Sequence, residues 1–174
     1  MDNVTVFYHD DMDGQLSAMA VIEKYRRQPD YRADAVNLVP WNGGEPYPDI
    51  PPTGQLCYML DLTMDEDGYF GRLLDRCPVI RVDHHACAAT QAKEKYGSRV
   101  KQAYLNDKPG YPSACVLCWR HLVIDKDSFR YPAIVDAAGL FAAGNDNEAV
   151  RGPILNRALE GEYAAFRSRR IPEP

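Results

Sequence analysis

VTVFYHDDMDGQLSAMAVIEKY, residues 4–25, changes character abruptly in the middle. An apolar, β-branched run of the kind that fills a buried strand stops at His9 and is followed by Asp10, Asp11 and Asp13. A helical pattern begins just after Gly14. Three negative charges packed into one strand-to-helix turn repel one another, so they need a partner of opposite charge.

Bulk properties bound what that partner serves. A chain of 174 residues is long enough for one domain with a real core, and 45% apolar with 26% charged residues is ordinary globular composition. The expectation is a single domain over 1–174. A net charge of −5 lacks the basic footprint of a long nucleic-acid groove, so small anionic substrates fit better than duplex DNA. No apolar run reaches the roughly 20 residues of a membrane helix, and the start MDNVTV does not resemble a signal peptide. The five cysteines are an odd number without an export signal, so reduced thiols in the cytoplasm are expected.

Strand patterns fall at 3–8, 33–39, 56–61, 79–82 and 100–105, and helical patterns at 15–27, 66–76, 88–96, 113–124, 132–143 and 148–168. Alternation of apolar strands with helices predicts an α/β fold, a mostly parallel sheet of about five strands with helices on both faces. The proline- and glycine-rich residues 40–55 read as a long surface loop. In such sheets ligands bind beyond the carboxyl ends of the strands.

That rule gathers three segments. His9, Asp11 and Asp13 follow the first strand and would share one face if the segment stayed extended. CYMLDLT ends an apolar strand in Asp61, and PVIRVDHHA ends another in Asp83, His84 and His85. Each has a plain reading: Asp11 as a helix cap, Asp61 as a loop residue, a histidine as a satisfied polar group. Together they place like charges at one sheet edge, and a cation offsets that arrangement. The segment CVLCWRH offers a rival zinc reading through Cys115, Cys118 and His121, but without a second Cys-x-x-Cys pair it reads better as a core helix.

At these residues the chain resembles the DHH phosphoesterases, which include single-strand exonucleases, oligoribonucleases, cyclic-dinucleotide phosphodiesterases and manganese pyrophosphatases. HDDMDGQLSA is similar to their first motif, MLDLT to the second, RVDHHA to the third, and YPSACVLCW to the segment with a serine at a helix start; the likeness spans residues 4 to 147. It implies a DHH-type domain holding two Mn²⁺ ions, with Mg²⁺ also compatible. His9 and Asp11 would hold one ion, Asp13 and His84 the other, and Asp61 would bridge. Asp83 would support or join this set, and His85 would face the substrate phosphate. The implied reaction is metal-dependent hydrolysis of a phosphodiester in a dinucleotide or short single-stranded oligonucleotide, with a pyrophosphatase-like hydrolase or a non-catalytic binding module as the alternatives.

Two departures from the family pattern follow. Its fourth aspartate matches either Asp136 or Asp146, and Asp146, just beyond an apolar helix, is the better placed. No Gly-Gly-Gly-His motif of a second domain follows residue 147, so the substrate must be small, held by loops, or enclosed by a partner such as a second copy in a homo-oligomer. Lys108 and Ser113, with the amides of the helix start, are candidate phosphate contacts, although Ser113 is equally a plain cap. Trp41 reads either as a platform for a base or as a packing residue. Arg167, Arg169 and Arg170 read as a solvated helix end, and Arg81 is expected to point away from the neighbours of Asp83 or to cap the sheet edge.

Overall fold

The run VTVFYH forms β1 (Val4–His9), and the chain turns at once into α1 (Met12–Arg26). The computed structural model describes residues 2–64, 68–85, 95–105 and 113–123. Then come β2 (Val36–Trp41), β3 (Leu56–Leu60), α2 (Tyr69–Arg76), β4 (Val79–Asp83), β5 (Gln102–Leu105) and α3 (Ala114–Cys118), which runs into a π-helical turn over Trp119–Val123. The described strands form one parallel sheet in the order β2-β1-β3-β4-β5. The expected α/β architecture with a parallel sheet is therefore present. The expected helices at 132–143 and 148–168, and most of that at 88–96, lie outside the described residues.

Strand residues alternate between two apolar layers, which is why the strands read as unbroken hydrophobic runs. Val6, Tyr8, Tyr58, Leu60 and Val82 pack on one face with Leu16 and Val21 of α1 and Cys115 and Cys118 of α3. Phe7, Cys57, Met59 and Val79 pack on the other with Phe70 and Leu73 of α2. Helices thus cover both faces.

Three of the boundaries that differ from the sequence expectation have a plain local reason. Helix α1 starts at Met12, ahead of Gly14, because Asp11 caps it: the extended Asp11 accepts a 2.9 Å hydrogen bond from the Gly14 amide. Strand β2 starts later than expected, at Val36, since Ala33–Ala35 form a 3₁₀ turn. It also runs through Pro40, which the sequence reading assigned to the loop. Among the described strands β2 pairs only with β1, and an edge position tolerates a residue without an amide hydrogen. The following loop is not purely a surface feature, because Tyr47 and Ile50 pack on the second layer.

The sheet order reverses direction between β1 and β3, since β2 lies on one side of β1 and the later strands on the other. Such a switch point opens a crevice at the carboxyl ends of the strands. Gly14 allows α1 to start directly over it: a Cβ there would lie 2.1 Å from the His9 carbonyl oxygen. Among the described residues, no helix is long and apolar enough to cross a membrane.

Because the obstruction at Gly14 is backbone, Gly14→Ala is expected to lower unfolding free energy by at least about 2 kcal/mol. Gly43→Ala, with nothing within 4 Å of the added Cβ, is the control and should stay within about 0.5 kcal/mol of the parent. Equal denaturant midpoints for the two variants would rule out the close approach of α1 to β1.

Candidate metal centre

The ends of β1, β3 and β4 lie side by side, and each delivers its polar residues just past the last row of apolar pairs, Tyr8–Leu60 and Leu60–Val82. His9 closes β1, and its Nδ1 lies 2.8 Å from Asp11 Oδ2. The other Asp11 oxygen caps α1, so the plain reading of this residue and the ligand reading use different oxygens. Asp13 does not continue an extended segment, contrary to the sequence expectation; it sits in the first turn of α1 and is buried.

Asp13 meets α3. Its carboxylate accepts from the amides of Ala114 at 3.1 Å and Cys115 at 2.7 Å. The anion held by these amides is thus the protein's own, which corrects their expected role as phosphate donors. Ser113 is fully buried, and its Oγ lies 3.1 Å from Cys115 Sγ, so its expected contact with substrate is not available in this arrangement.

Asp61 sits at the centre. Its backbone adopts φ 56°, a left-handed conformation that costs a non-glycine residue about 1 kcal/mol, and its amide donates to the Val82 carbonyl at 2.9 Å. The residue is 4% exposed, and Oδ1 has no hydrogen bond of acceptable geometry among the described residues. The same oxygen lies 3.3 Å from His84 Nε2 and 3.7 Å from His85 Nδ1, as close ion-pair contacts. His84 Nε2 is also 3.6 Å from Asp13 Oδ2.

Burial pushes the Asp61 carboxyl up to about 6, with repulsion from Asp13, Asp11 and Asp83 acting in the same sense and His84 opposing it. His84 is raised above its ordinary value, chiefly by Asp61, while burial opposes the rise. Among the described residues, candidate ligand atoms within 4.8 Å of one another form two groups, His9 with Asp11 and Asp61, and Asp61 with His84 and His85. Asp61 belongs to both.

Asp83 is fully engaged by protein. Oδ1 accepts from the His85 amide at 3.0 Å and lies 2.7 Å from His85 Nδ1. Oδ2 accepts from Thr63 Oγ1 at 3.3 Å and faces Arg81 Nη2 at 3.5 Å. Arg81 therefore points toward Asp83, not away from its neighbours. Residues two apart on a strand share a face, so the pairing was implicit in Arg-Val-Asp, and Thr63 carried no comparable signal.

Other candidates separate from this centre. Trp41 is buried, stacked on Tyr47 at 5.3 Å, with its Nε1 donating to the Glu45 carbonyl, so it packs the loop. Cys115 and Cys118 are buried thiols whose pKa values are raised by desolvation, whereas His121 is exposed; the core-helix reading holds over the zinc reading. Lys108, Asp136, Asp146, Arg167, Arg169 and Arg170 lie outside the described residues.

No protein-family model matches the chain. No curated protein matches it either. Among solved structures it is similar to the crystal structure of an uncharacterized protein from Helicobacter pylori G27, with a TM-score of 0.54 and 12% identity. That match covers 84% of this chain and 45% of the other, so the matched part spans less than half the length of that neighbour. At this identity the likeness concerns the fold alone.

The charge at Asp61 has a thermodynamic signature in the metal-free protein. A carboxyl raised from 3.8 to about 6 contributes stability that is present below about 4 and is lost as pH rises through about 6. His84, also raised, acts in the same direction at higher pH. Asp61→Asn removes the buried charge, so in chelator its stability relative to the parent should grow by roughly 1–3 kcal/mol between pH 4 and pH 8. A difference independent of pH in denaturant titrations would contradict this electrostatic account.

Proposed function

We propose that the chain is a DHH-type, metal-dependent phosphoesterase that hydrolyses phosphodiester bonds of small nucleotide substrates, a dinucleotide or short single-stranded oligonucleotide, in the cytoplasm. The observation that carries this reading is the shared position of Asp61. Its buried Oδ1, without a hydrogen bond among the described residues, belongs to two clusters of nitrogen and oxygen ligands at the switch point of the sheet. A buried carboxylate oxygen facing two imidazoles across more than 3 Å fits a site built to receive cations. Carboxylate and imidazole donors suit Mn²⁺, with Mg²⁺ as the harder alternative.

In this reading His9, Asp11 and Asp61 hold one ion, and Asp61 with His84 holds the second. Divalent ions bound there would supply Lewis-acid stabilisation of charge developing on phosphoryl oxygens. Asp13 is the link between the site and α3, its negative charge oriented by two amides and directed at His84. His85 is half exposed at the mouth and is held from behind by Asp83, which suits a side chain that meets the substrate phosphate. Asp83 therefore acts as its support and not as a ligand. A second copy in a homo-oligomer would enclose the substrate on the open side.

The experiment is hydrolysis of a dinucleotide, a five-nucleotide RNA, a cyclic dinucleotide and pyrophosphate, each with manganese, magnesium or chelator. Manganese-dependent release of mononucleotide is expected, and release of phosphate from pyrophosphate alone would favour the pyrophosphatase-like alternative. Asp11→Asn and His84→Ala should each lower the rate by about 100-fold or more with unchanged circular dichroism. Full activity in either folded variant would remove this site from the reaction.

A further inference from the structure

Arg81 is the largest fully buried side chain among the described residues, 1% exposed in the middle of a strand. A guanidinium in that position is costly unless it meets an anion and further acceptors. One nitrogen, Nη2, contacts the Leu62 carbonyl at 3.3 Å, Thr63 Oγ1 at 3.0 Å and Asp83 Oδ2 at 3.5 Å. The guanidinium carbon lies 5.2 Å from the centroid of the Phe70 ring, which closes the far side. Leu62 and Thr63 immediately follow Asp61, whereas Asp83 immediately precedes His84. A single side chain therefore ties the strand end that carries Asp61 to the one that carries His84 and His85.

The chain of contacts continues outward. Thr63 Oγ1 accepts from Arg81 and donates to Asp83 Oδ2. With Oδ2 held, Asp83 turns Oδ1 to the amide and ring Nδ1 of His85. A carboxylate at Nδ1 fixes the proton there and leaves Nε2 as the acceptor nitrogen of the ring.

The geometry points to Arg81 and Thr63 as positioning residues that, through Asp83, set which ring nitrogen of His85 carries the proton and which is left as acceptor. Neither touches the substrate. Their catalytic consequence rests on the phosphoesterase reading, but the state of the His85 ring does not. Arg81→Met keeps length and removes both charge and donors; Arg81→Lys keeps charge and loses the planar fork. Thr63→Ala removes the relay hydroxyl, and Thr63→Ser restores it.

The test combines ring ¹⁵N–¹H correlation spectra of the metal-free protein, with His85 assigned through His85→Gln, and steady-state kinetics with manganese. In the parent, the His85 proton is expected on Nδ1. Arg81→Met and Thr63→Ala should shift it toward Nε2 and lower kcat by about 10–100-fold with KM changed only a few-fold, Arg81→Lys and Thr63→Ser recovering part or all of the loss. An unchanged ring signature in both Arg81→Met and Thr63→Ala overturns the inference, whatever happens to the rate. If Arg81→Met does not fold, the Thr63→Ala and Thr63→Ser pair decides alone. If the parent hydrolyses none of the substrates, the phosphoesterase reading fails and the ring signature still decides this one.

Discussion

Mutual repulsion among carboxylates at one sheet edge is the constraint around which this structure is arranged. Asp11, Asp13, Asp61 and Asp83 converge where β1, β3 and β4 end, and Asp13, Asp61 and Asp83 are buried. Each is stabilised by a different device. Asp11 faces His9 and the start of α1, Asp13 takes two amides from α3, and Asp83 is held between Arg81, Thr63 and His85. Asp61 differs: its Oδ1 meets imidazoles at ion-pair distance without a well-formed hydrogen bond. The balance is incomplete at the residue shared by both ligand clusters, and a cation there would complete it.

The two layers of the core serve that arrangement from opposite sides. On one face, α1 buries Ala18 and Ala20 in the layer that also holds β1 residues, and α3 packs in the same layer so that its first amides reach Asp13. On the other face, Phe70 of α2 covers Arg81, and the buried guanidinium joins the ends of β3 and β4. A displacement of either layer would reach the carboxylates through these contacts, because packed interiors transmit strain. The left-handed backbone at Asp61 belongs to the same design, since it turns the chain away from the strand while leaving the carboxylate in the crevice.

Much of this was legible in the residues themselves. Apolar runs ending in His9, Asp61 and Asp83 located the strands and the sheet edge at which the acidic and histidine side chains gather, because a parallel sheet buried on both faces needs unbroken hydrophobic strands. Errors arose where a side chain acted on the local backbone. Asp11 as a cap moved the start of α1 and carried Asp13 out of the extended segment, and Pro40 was assigned to a loop although it lies in an edge strand. The helix-start amides of YPSACVLCW, candidate phosphate contacts beside the plain cap reading, were undecided for another reason. Whether amides are open to an external anion depends on what else folds against them, and here that is Asp13.

The sequence by itself determined the α/β architecture, the strand ends that carry the charged residues, and their chemical type, since periodicity and residue identity are local properties. The partner of each charged group was decided only by the tertiary structure. Arg81 faces Asp83 and Thr63, Asp13 faces α3, and Asp61 joins two clusters, because these pairings depend on strand order and on helices brought together from up to 102 positions apart. Electrostatic interaction falls with distance in space and not along the chain, so only the folded geometry selects which charges meet.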